Sequence, residues 1–338
     1  MKFGVLLRCQ FLRDEDPVRC LEDAWRMTRQ ADALGFDSIA KGNHYGYSDL
    51  LDFNQMPVLA RMAVEAPRAR LLTGVVLLSL HKPLDIAEQL ATLDVISNGR
   101  LIFGCALGYR QAEFDGFGTG QRDRVPRLEE NLLVIKRLWT EARVHHDGTH
   151  FKLEGVTPGV LPVQRPHPPI WMGANADPAI RRAARLADCW YMPAHNKVQT
   201  LLRQLDVYRR ELDHCGKPMP EELPMRREVF VAPTRREAIE RSREALANKY
   251  RSYHRWGQDK PMPAGDNDLG QSVDALMADR FILGSPAEVT EQILAICRPT
   301  GVNHLVISTH NPGMDVQVAM DSMQLFAEEV MPAVRAGL

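Results

Sequence analysis

The sequence has few cysteines and no excess of either charge. Six cysteines are scattered over 338 residues without a C-x-x-C pair, which argues against a disulfide framework and a structural zinc cluster. The chain carries 42 Lys and Arg residues against 43 Asp and Glu, a formal net charge of −1. Proteins that bind a phosphate backbone or an anionic membrane are usually basic. We therefore expect neither nucleic acid nor a membrane as a partner.

Long apolar runs are also missing. The first run, Phe3–Leu7, is too short for the core of a signal peptide, and none approaches the roughly 18 residues of a membrane span. Hydrophobic residues make up 45% of the chain and charged residues 25%, which is ample apolar material for a core. We expect a soluble protein located in the cytoplasm.

Short apolar runs instead alternate with amphipathic stretches along the sequence. Apolar runs without polar alternation are typical of strands in a parallel sheet that is covered on both faces. Eight strand–helix units favour a (β/α)₈ TIM barrel, which needs about 250 residues. The predicted strands are Phe3–Leu7, Phe36–Ala40, Leu71–Leu78, Leu101–Leu107, Ile170–Ala174, Cys189–Met192, Glu228–Ala232 and His304–Ser308.

The remaining residues predict two insertions within a single domain spanning residues 1–338. The first, at about 142–168 after the fourth strand, contains a D-G turn at Asp147-Gly148 that is typical of a hairpin. The second, at about 255–285 before the eighth strand, is rich in Gly, Pro and Asp and has little periodicity. A loop of this length is typical of a lid or of a disordered segment.

Motifs of several other enzyme classes are absent. No G-x-G-x-x-G follows the first strand, which disfavours a doubly wound dinucleotide-binding fold. No strand end carries two clustered metal ligands, and the chain has no G-x-S-x-G. These absences disfavour a metal hydrolase and serine catalysis, and we expect no metal site.

In TIM barrels the active site lies in the loops after the strands. His44 follows the second strand between two glycines, where an imidazole either exchanges protons near neutral pH or merely hydrogen-bonds a loop. The turn Gly173-Ala174-Asn175 precedes a predicted helix, so it is either a phosphate site or simply a tight loop. Arg110, after the fourth strand, offers a cation to that site unless it forms a surface ion pair.

Four longer patterns follow one another along the chain. Residues 87–101 resemble the signature A-x-x-x-A-T-L-D-x-x-S-x-G-R-x, reading A-E-Q-L-A-T-L-D-V-I-S-N-G-R-L. Residues 104–114 resemble the block G-x-G-[WY]-x-x-x-E-F, reading G-C-A-L-G-Y-R-Q-A-E-F. Residues 168–174 read P-P-I-W-M-G-A and residues 181–188 read R-R-A-A-R-L-A-D. These blocks resemble, in the family order, those of the bacterial luciferase-like flavin-dependent monooxygenase and oxidoreductase family, the last two its fifth barrel unit, and the chain is identified as a member.

The resemblance implies a barrel that binds reduced FMN, or in one branch a deazaflavin, at the carboxyl ends of its strands. It implies a catalytic or flavin-adjacent role for His44, although Asn43 stands where the family often has a carboxylate. It also implies a cis peptide bond at Gly74-Val75 and a flavin phosphate at residues 173–175. The implied flavin-binding residues are Asn43, Gly74, Val75, Gly108, Arg110, Gly173, Ala174 and Asn175.

The activity implied is a monooxygenase that takes reduced FMN from a separate reductase and uses O₂ to oxygenate a small organic substrate. The segment at about 255–285 would close over a dry pocket. The close alternative is a deazaflavin-dependent oxidoreductase that transfers hydride, and the third is a non-catalytic flavin-binding protein. Family members are usually dimers or tetramers, so we expect a homodimer or homotetramer. Polar residues at strand ends predict the substrate pocket: Arg8, Tyr45, His81, His195 and His310.

Overall fold

The computed structural model describes residues 1–46 and 50–338. Its strands are β1 Lys2–Leu6, β2 Gln10–Leu12, β3 Ser38–Lys41, β4 Leu50–Asp52, β5 Arg70–Thr73, β6 Val76–Leu77, β7 Leu101–Ala106, β8 Val144–Asp147, β9 Lys152–Val156, β10 Ile170–Gly173, β11 Cys189–Tyr191, β12 Pro224–Val231, β13 Phe281–Gly284 and β14 His304–Ser308. The helices are α1 Pro17–Ala33, α2 Gln55–Glu65, α3 Pro83–Ile96, α4 Gln111–Gly116, α5 Arg124–Thr140, α6 Asp177–Leu186, α7 Val198–His214, α8 Arg235–Arg255, α9 Val273–Met277, α10 Pro286–Thr300, α11 Val316–Leu325 and α12 Met331–Gly337.

Side-chain caps set the first turns of several helices. The Asp16 side chain accepts the Arg19 N–H at the start of α1, and Ser285 forms a capping box with Glu288 at the start of α10. Gly301, with a φ of 73°, ends α10 in the left-handed conformation. In the described part of the chain, no helix is both long and apolar enough to cross a bilayer.

Ten strands form one parallel sheet that curls round on itself. Its order is β11-β10-β7-β5-β3-β1-β14-β12-β13, and the short β6 also pairs with β7. The two sides of the curl meet at a parallel bridge between Met192 and Met225, where Met192 N–H donates to the Pro224 carbonyl at 2.9 Å. The predicted parallel α/β architecture is thus confirmed.

Apolar side chains cover both faces of this sheet, as the near-continuous apolar runs predict. The main core lies between the strands and the helices and includes Phe3, Leu71 and Phe103. A smaller inner core lies inside the curl and is built from Leu6, Ala40, Leu72, Ile102, Trp171, Cys189, Tyr191 and Val306. This inner core leaves the carboxyl ends of the strands as the place for a cavity.

The third predicted strand, Leu71–Leu78, is interrupted. β5 ends at Thr73, the peptide bond between Gly74 and Val75 is cis as the resemblance implies, and β6 follows. Gly104 on β7 passes close by, because a Cβ there would lie only 2.0 Å from the Thr73 carbonyl oxygen. An apolar run carries no signal of such a break, so periodicity predicts one continuous strand.

Regular structure lies in the segment at about 255–285, so the alternative of a disordered segment is wrong, whereas the lid stays a prediction. α9 and β13 belong to this segment, and β13 pairs in parallel with β12. Asp259 is buried and lies 2.6 Å from His254 Nδ1, and it accepts the Leu269 N–H at 3.0 Å. The strand is only four residues long, too short for periodicity to reveal. β12 likewise begins at Pro224, earlier than predicted.

Two antiparallel strand pairs lie outside the parallel sheet. β8 pairs with β9, and Gly148 N–H donates to the Phe151 carbonyl at 3.0 Å, so the hairpin predicted at the D-G turn is confirmed. The second pair, β2 with β4, joins the loops after β1 and β3 and is not predicted by the sequence.

Candidate functional site

A cavity of about 360 Å³, hereafter the first cavity, opens at the carboxyl ends of the strands. Leu6 and Tyr191 of the inner core line it. Most of the predicted site residues surround it, namely Arg8, Asn43, His44, Gly74, Val75, Gly108, Gly173, Ala174, Asn175 and His195. Four others are not among the described residues that line it: Tyr45, His81, Arg110 and His310.

One wall of the first cavity consists of residues with little or no side chain. Gly74, Gly108, Gly173 and Ala174 form this backbone wall. Gly108 has a φ of 78°, a left-handed conformation that favours glycine. A Cβ on Gly173 would already lie in van der Waals contact, 3.6 Å from the Ala106 Cβ. A planar ring can therefore lie against this wall without displacing a side chain.

A buried carboxylate holds the His44 imidazole at the edge of the first cavity. His44 Nδ1 lies 2.8 Å from Oε1 of Glu113, and the same oxygen accepts the Tyr45 N–H at 3.0 Å. Glu113 is 1% exposed and stands in the first turn of α4. Because Glu113 engages Nδ1, proton exchange between His44 and a bound ligand falls to Nε2.

The Arg110 guanidinium braces the loop that carries His44. It donates to the Tyr45 carbonyl at 2.8 Å and lies over the Trp256 ring, 4.9 Å from the centroid. The Trp256 ring is in turn 6.3 Å from the His44 ring, which Tyr109 meets edge-on at 5.6 Å. This place does not match the predicted role of Arg110 at a flavin phosphate, since its guanidinium is engaged by neighbouring protein groups.

Cations and a helix start lie together at one end of the first cavity. α6 begins there, and no side chain caps its first turn. Arg182 and Arg124 line the cavity at this end, with Arg182 donating through Nε to Glu129 at 2.7 Å and its two Nη groups left, among the described residues, for a ligand. The Asp177 carboxylate is neutralised by Arg203, which donates two hydrogen bonds of 2.7 and 2.8 Å and lowers its pKa. Helix-start N–H groups and guanidinium groups together suit a phosphate.

A buried charge cluster, formed by Arg8, Arg226, Glu228 and Lys249, lies where β1 and β12 border the first cavity. Glu228 is fully buried, and its Oε1 accepts from Arg226 at 3.0 Å while Oε2 accepts from Lys249. Arg8 lies 3.9 Å from Oε1. Burial alone would raise the pKa of Glu228, but the surrounding cations hold it well below its usual range.

His195 lines the first cavity as predicted, in surroundings that keep it neutral. Its Nδ1 lies 3.3 Å from the Tyr250 hydroxyl, and the Tyr253 ring meets it edge-on at 4.9 Å. Burial, together with the nearby Arg226 cation, lowers the pKa of His195 well below its ordinary value. His195 is therefore a wall of the pocket and no proton carrier near neutral pH.

Tyr45 and His81 lie in an aromatic group beside the cavity, which does not match their predicted place in a substrate pocket. The Tyr45 hydroxyl is 3.4 Å from His81 Nε2, and the Phe117 ring packs on both, at 4.6 and 5.5 Å. Burial raises the pKa of Tyr45 to about 12 and lowers that of His81. Position after a strand does not fix the direction of a side chain, so the sequence could not separate these two from His44.

His310 is also away from the lining of the first cavity, contrary to the prediction. It is buried against Phe11 of the β2–β4 strand pair, with ring centroids 5.5 Å apart. Burial lowers the pKa of His310 to about 4. The unpredicted strand pair thus covers a histidine that the sequence places at an open strand end.

We expect His310 to make the fold sensitive to acid between about pH 6.5 and pH 4. The imidazole has a pKa near 6.5 in the unfolded chain and about 4 in the folded protein. As the pH is lowered, the unfolded chain therefore takes up its proton first, and the free energy of unfolding decreases. The difference between the two pKa values corresponds to about 3 kcal/mol in the free energy of unfolding. His310→Gln should flatten the dependence of the unfolding free energy on pH, measured by urea denaturation. The exposed His214→Gln is the control, and an equal slope in both variants would contradict the prediction.

The sequence did not single out Arg226 or Lys249, and it offered Glu113 only as one of the residues after the fourth predicted strand, without a role. Glu113 stands in the G-x-G-[WY]-x-x-x-E-F block, so that motif held a signal for it. The sequence held no such signal for Arg226, because the predicted seventh strand begins only at Glu228. Lys249 lies on the long amphipathic helix α8, where a lysine is normally exposed.

Comparison with known proteins gives one family and several relatives. The sequence profile described as luciferase-like monooxygenase matches residues 1–304. The chain is 25% identical over 360 positions to the oxygenase component of the flavin-dependent trigonelline monooxygenase of Acinetobacter baylyi, covering 98% of this chain and 95% of that one. It is 26% identical over 270 positions to the FMNH2-dependent dimethylsulfone monooxygenase of Pseudomonas putida, covering 75% of this chain and 71% of that one.

The fold has a close counterpart among solved structures. The crystal structure of the monooxygenase RslO1 from Streptomyces bottropensis superimposes with a TM-score of 0.86 at 27% identity, covering 98% of this chain and 99% of that one. Its curled parallel sheet is therefore shared over essentially the whole length.

Proposed function

We propose, since the chain belongs to the luciferase-like monooxygenase family, that it oxygenates a small organic substrate with reduced FMN and O₂. The two relatives named above are flavin-dependent monooxygenases, which supports a flavin in the first cavity. The observation that carries the proposal is the His44–Glu113 pair beside the backbone wall, at the carboxyl ends of the strands of the curled parallel sheet.

The residues of the first cavity suit both ends of FMN. The backbone wall of Gly74, Gly108 and Gly173 accommodates the flat ring, because a Cβ on Gly173 would already fill the space behind it. The start of α6 and Arg182 are suited to the phosphate. When bound, reduced FMN supplies the electrons that activate O₂.

The chain itself contributes proton handling and shielding. His44 holds or moves a proton at Nε2, with its ring fixed through Nδ1 by Glu113. Gln258 and Pro261, from the segment at about 255–285, line the first cavity. We assign this segment the role of a cover that excludes water from the site.

The proposal includes a separate flavin reductase as partner. The Acinetobacter relative is named as an oxygenase component, which supports a second component that delivers reduced FMN. A homodimer or homotetramer in the cytoplasm stays a prediction. Each flavin-binding residue assigned from the resemblance also stays a prediction. The exception is Arg110, to which we now assign support of the loop that carries His44.

Anaerobic titration with reduced flavins tests the proposal. We expect reduced FMN to bind about ten- to a hundredfold more tightly than reduced riboflavin, because riboflavin lacks the phosphate that makes charge-assisted hydrogen bonds. Arg182→Gln should remove most of this difference. Arg185→Gln, on the same helix but paired with Glu211 at the surface, should keep it. Equal binding of the two flavins by the wild type would overturn the phosphate site.

Assays in the presence of O₂ separate the alternatives. Hydride transfer to or from a deazaflavin, without oxygenation of the substrate, would identify a deazaflavin-dependent oxidoreductase. Tight binding of oxidised flavin, with no oxygenated product when reductant is present, would identify a non-catalytic flavin-binding protein. Incorporation of ¹⁸O from ¹⁸O₂ into a product supports the monooxygenase, because free reduced FMN consumes O₂ without the protein.

A further inference from the structure

A second cavity, of about 540 Å³, adjoins the first. Arg8, Gln10 and Tyr253 line both cavities, so these residues form a partition between them. Among the described residues, the lining of the second cavity contains no Asp or Glu but three arginines and a lysine, Arg8, Arg251, Arg255 and Lys249. A cavity with this lining favours a negatively charged ligand.

The buried charge cluster at the partition carries excess positive charge. Arg8 and Arg226 stay charged at neutral pH, and Glu228 balances only one of them, whatever the protonation of Lys249. Nε of Arg8 and Nε of Arg226 are both buried and have no hydrogen-bond partner among the described residues. Such donors are normally satisfied in a folded protein, so their state points to a missing acceptor.

Arg8 is also held in place without using its full hydrogen-bonding capacity. Its Nη2 donates to the Tyr253 hydroxyl at 2.8 Å, and the whole residue is 8% exposed. A guanidinium fixed in this way loses little conformational entropy when it binds a carboxylate. Tyr253 and Trp256 add aromatic surface to the second cavity for the apolar part of a ligand.

We propose that the substrate is an organic carboxylate whose charged group binds Arg8 at the partition, with its body in the second cavity. Because Arg8 also lines the first cavity, a substrate held there lies beside the flavin site. That the carboxylate is the substrate rests on the proposed function, whereas its binding needs no flavin and is measured separately.

Benzoate and its uncharged analogue benzamide are suitable probes, titrated into the full-length protein by NMR. We expect benzoate to bind at least about tenfold more tightly than benzamide, since the carboxylate gains a charge-assisted hydrogen bond. Arg8→Gln and Lys249→Gln should each remove most of this preference. Arg236→Gln, an exposed residue on the same helix as Lys249, should keep it while changing the net charge equally.

Comparing the two probes in the wild type needs no variant. The proposal can therefore be tested even where a variant fails to fold. Equal affinity of benzoate and benzamide would overturn it, as would a preference retained in both cavity variants. Oxygenation of a substrate with reduced FMN but no carboxylate preference would overturn this inference and leave the proposed function intact. Carboxylate binding without any flavin binding would refute the carboxylate as a substrate and the monooxygenase together.

Discussion

His44→Ala is expected to lower the rate of substrate oxygenation by about 10²–10⁴-fold, the usual contribution of a positioned acid–base group. His44 borders the first cavity, and Glu113 fixes its ring through Nδ1 at 2.8 Å. The binding of reduced FMN should change little, because the backbone wall and the start of α6 stay intact. The measurement is incorporation of ¹⁸O from ¹⁸O₂ into product, with FMN reduced chemically so that no reductase is needed.

Glu113→Gln distinguishes a positioning role from a merely structural one. The amide can still accept the Tyr45 N–H but carries no charge to hold a protonated imidazole. We expect a smaller loss in kcat than for His44→Ala, an altered pH profile and little change in KM. His214→Ala, at the exposed end of α7, is the control. Full turnover by His44→Ala with flavin bound would show that the imidazole has no part in the reaction.

Glu228→Gln is expected to lower the free energy of unfolding by about 3–5 kcal/mol, because it leaves buried cations without their carboxylate. The measurement is urea denaturation at neutral pH. Glu240→Gln, an exposed change on α8, should stay within about 0.5 kcal/mol of the wild type.

The same variant has a second signature in acid. The pKa of Glu228 is lowered by folding, so its contribution to stability is present above the ordinary carboxyl pKa and is lost as the pH falls towards the folded value. The wild type should therefore lose more stability on acidification than Glu228→Gln. Parallel curves for the two proteins would mean that the carboxylate is not held ionised by Arg226 and Lys249.

The parallel architecture could be read from the sequence because each barrel strand is a continuous apolar run. His304–Ser308 matches its prediction at both ends. The prediction failed where tertiary pairing, not local pattern, makes the element. β13 is a strand only because Phe281–Gly284 pairs with β12, and the first half of β12 carries Arg226 and Arg227, which break the apolar run.

The candidate site could be predicted only as far as backbone position determines it. His44 follows β3 and Gly173 ends β10, and the carboxyl ends of these strands share one rim, so the sequence locates the two residues together. Gly74 lies inside the predicted strand Leu71–Leu78 and was located by the family resemblance alone. Side-chain direction is decided by later packing: Tyr45 turns to Phe117, and His310 is covered by Phe11. The excess positive charge at Arg8 was hidden as well, since its neighbours come from β12 and α8, more than 200 residues away along the chain.

The acid–base pair and the carboxylate-binding cations are supplied by different parts of the polypeptide. His44 stands in the loop after β3 and Glu113 in the first turn of α4, whereas Lys249 and Arg251 belong to α8. Mutant libraries confined to that helix can therefore change the charge around Arg8 and leave the His44–Glu113 pair in place.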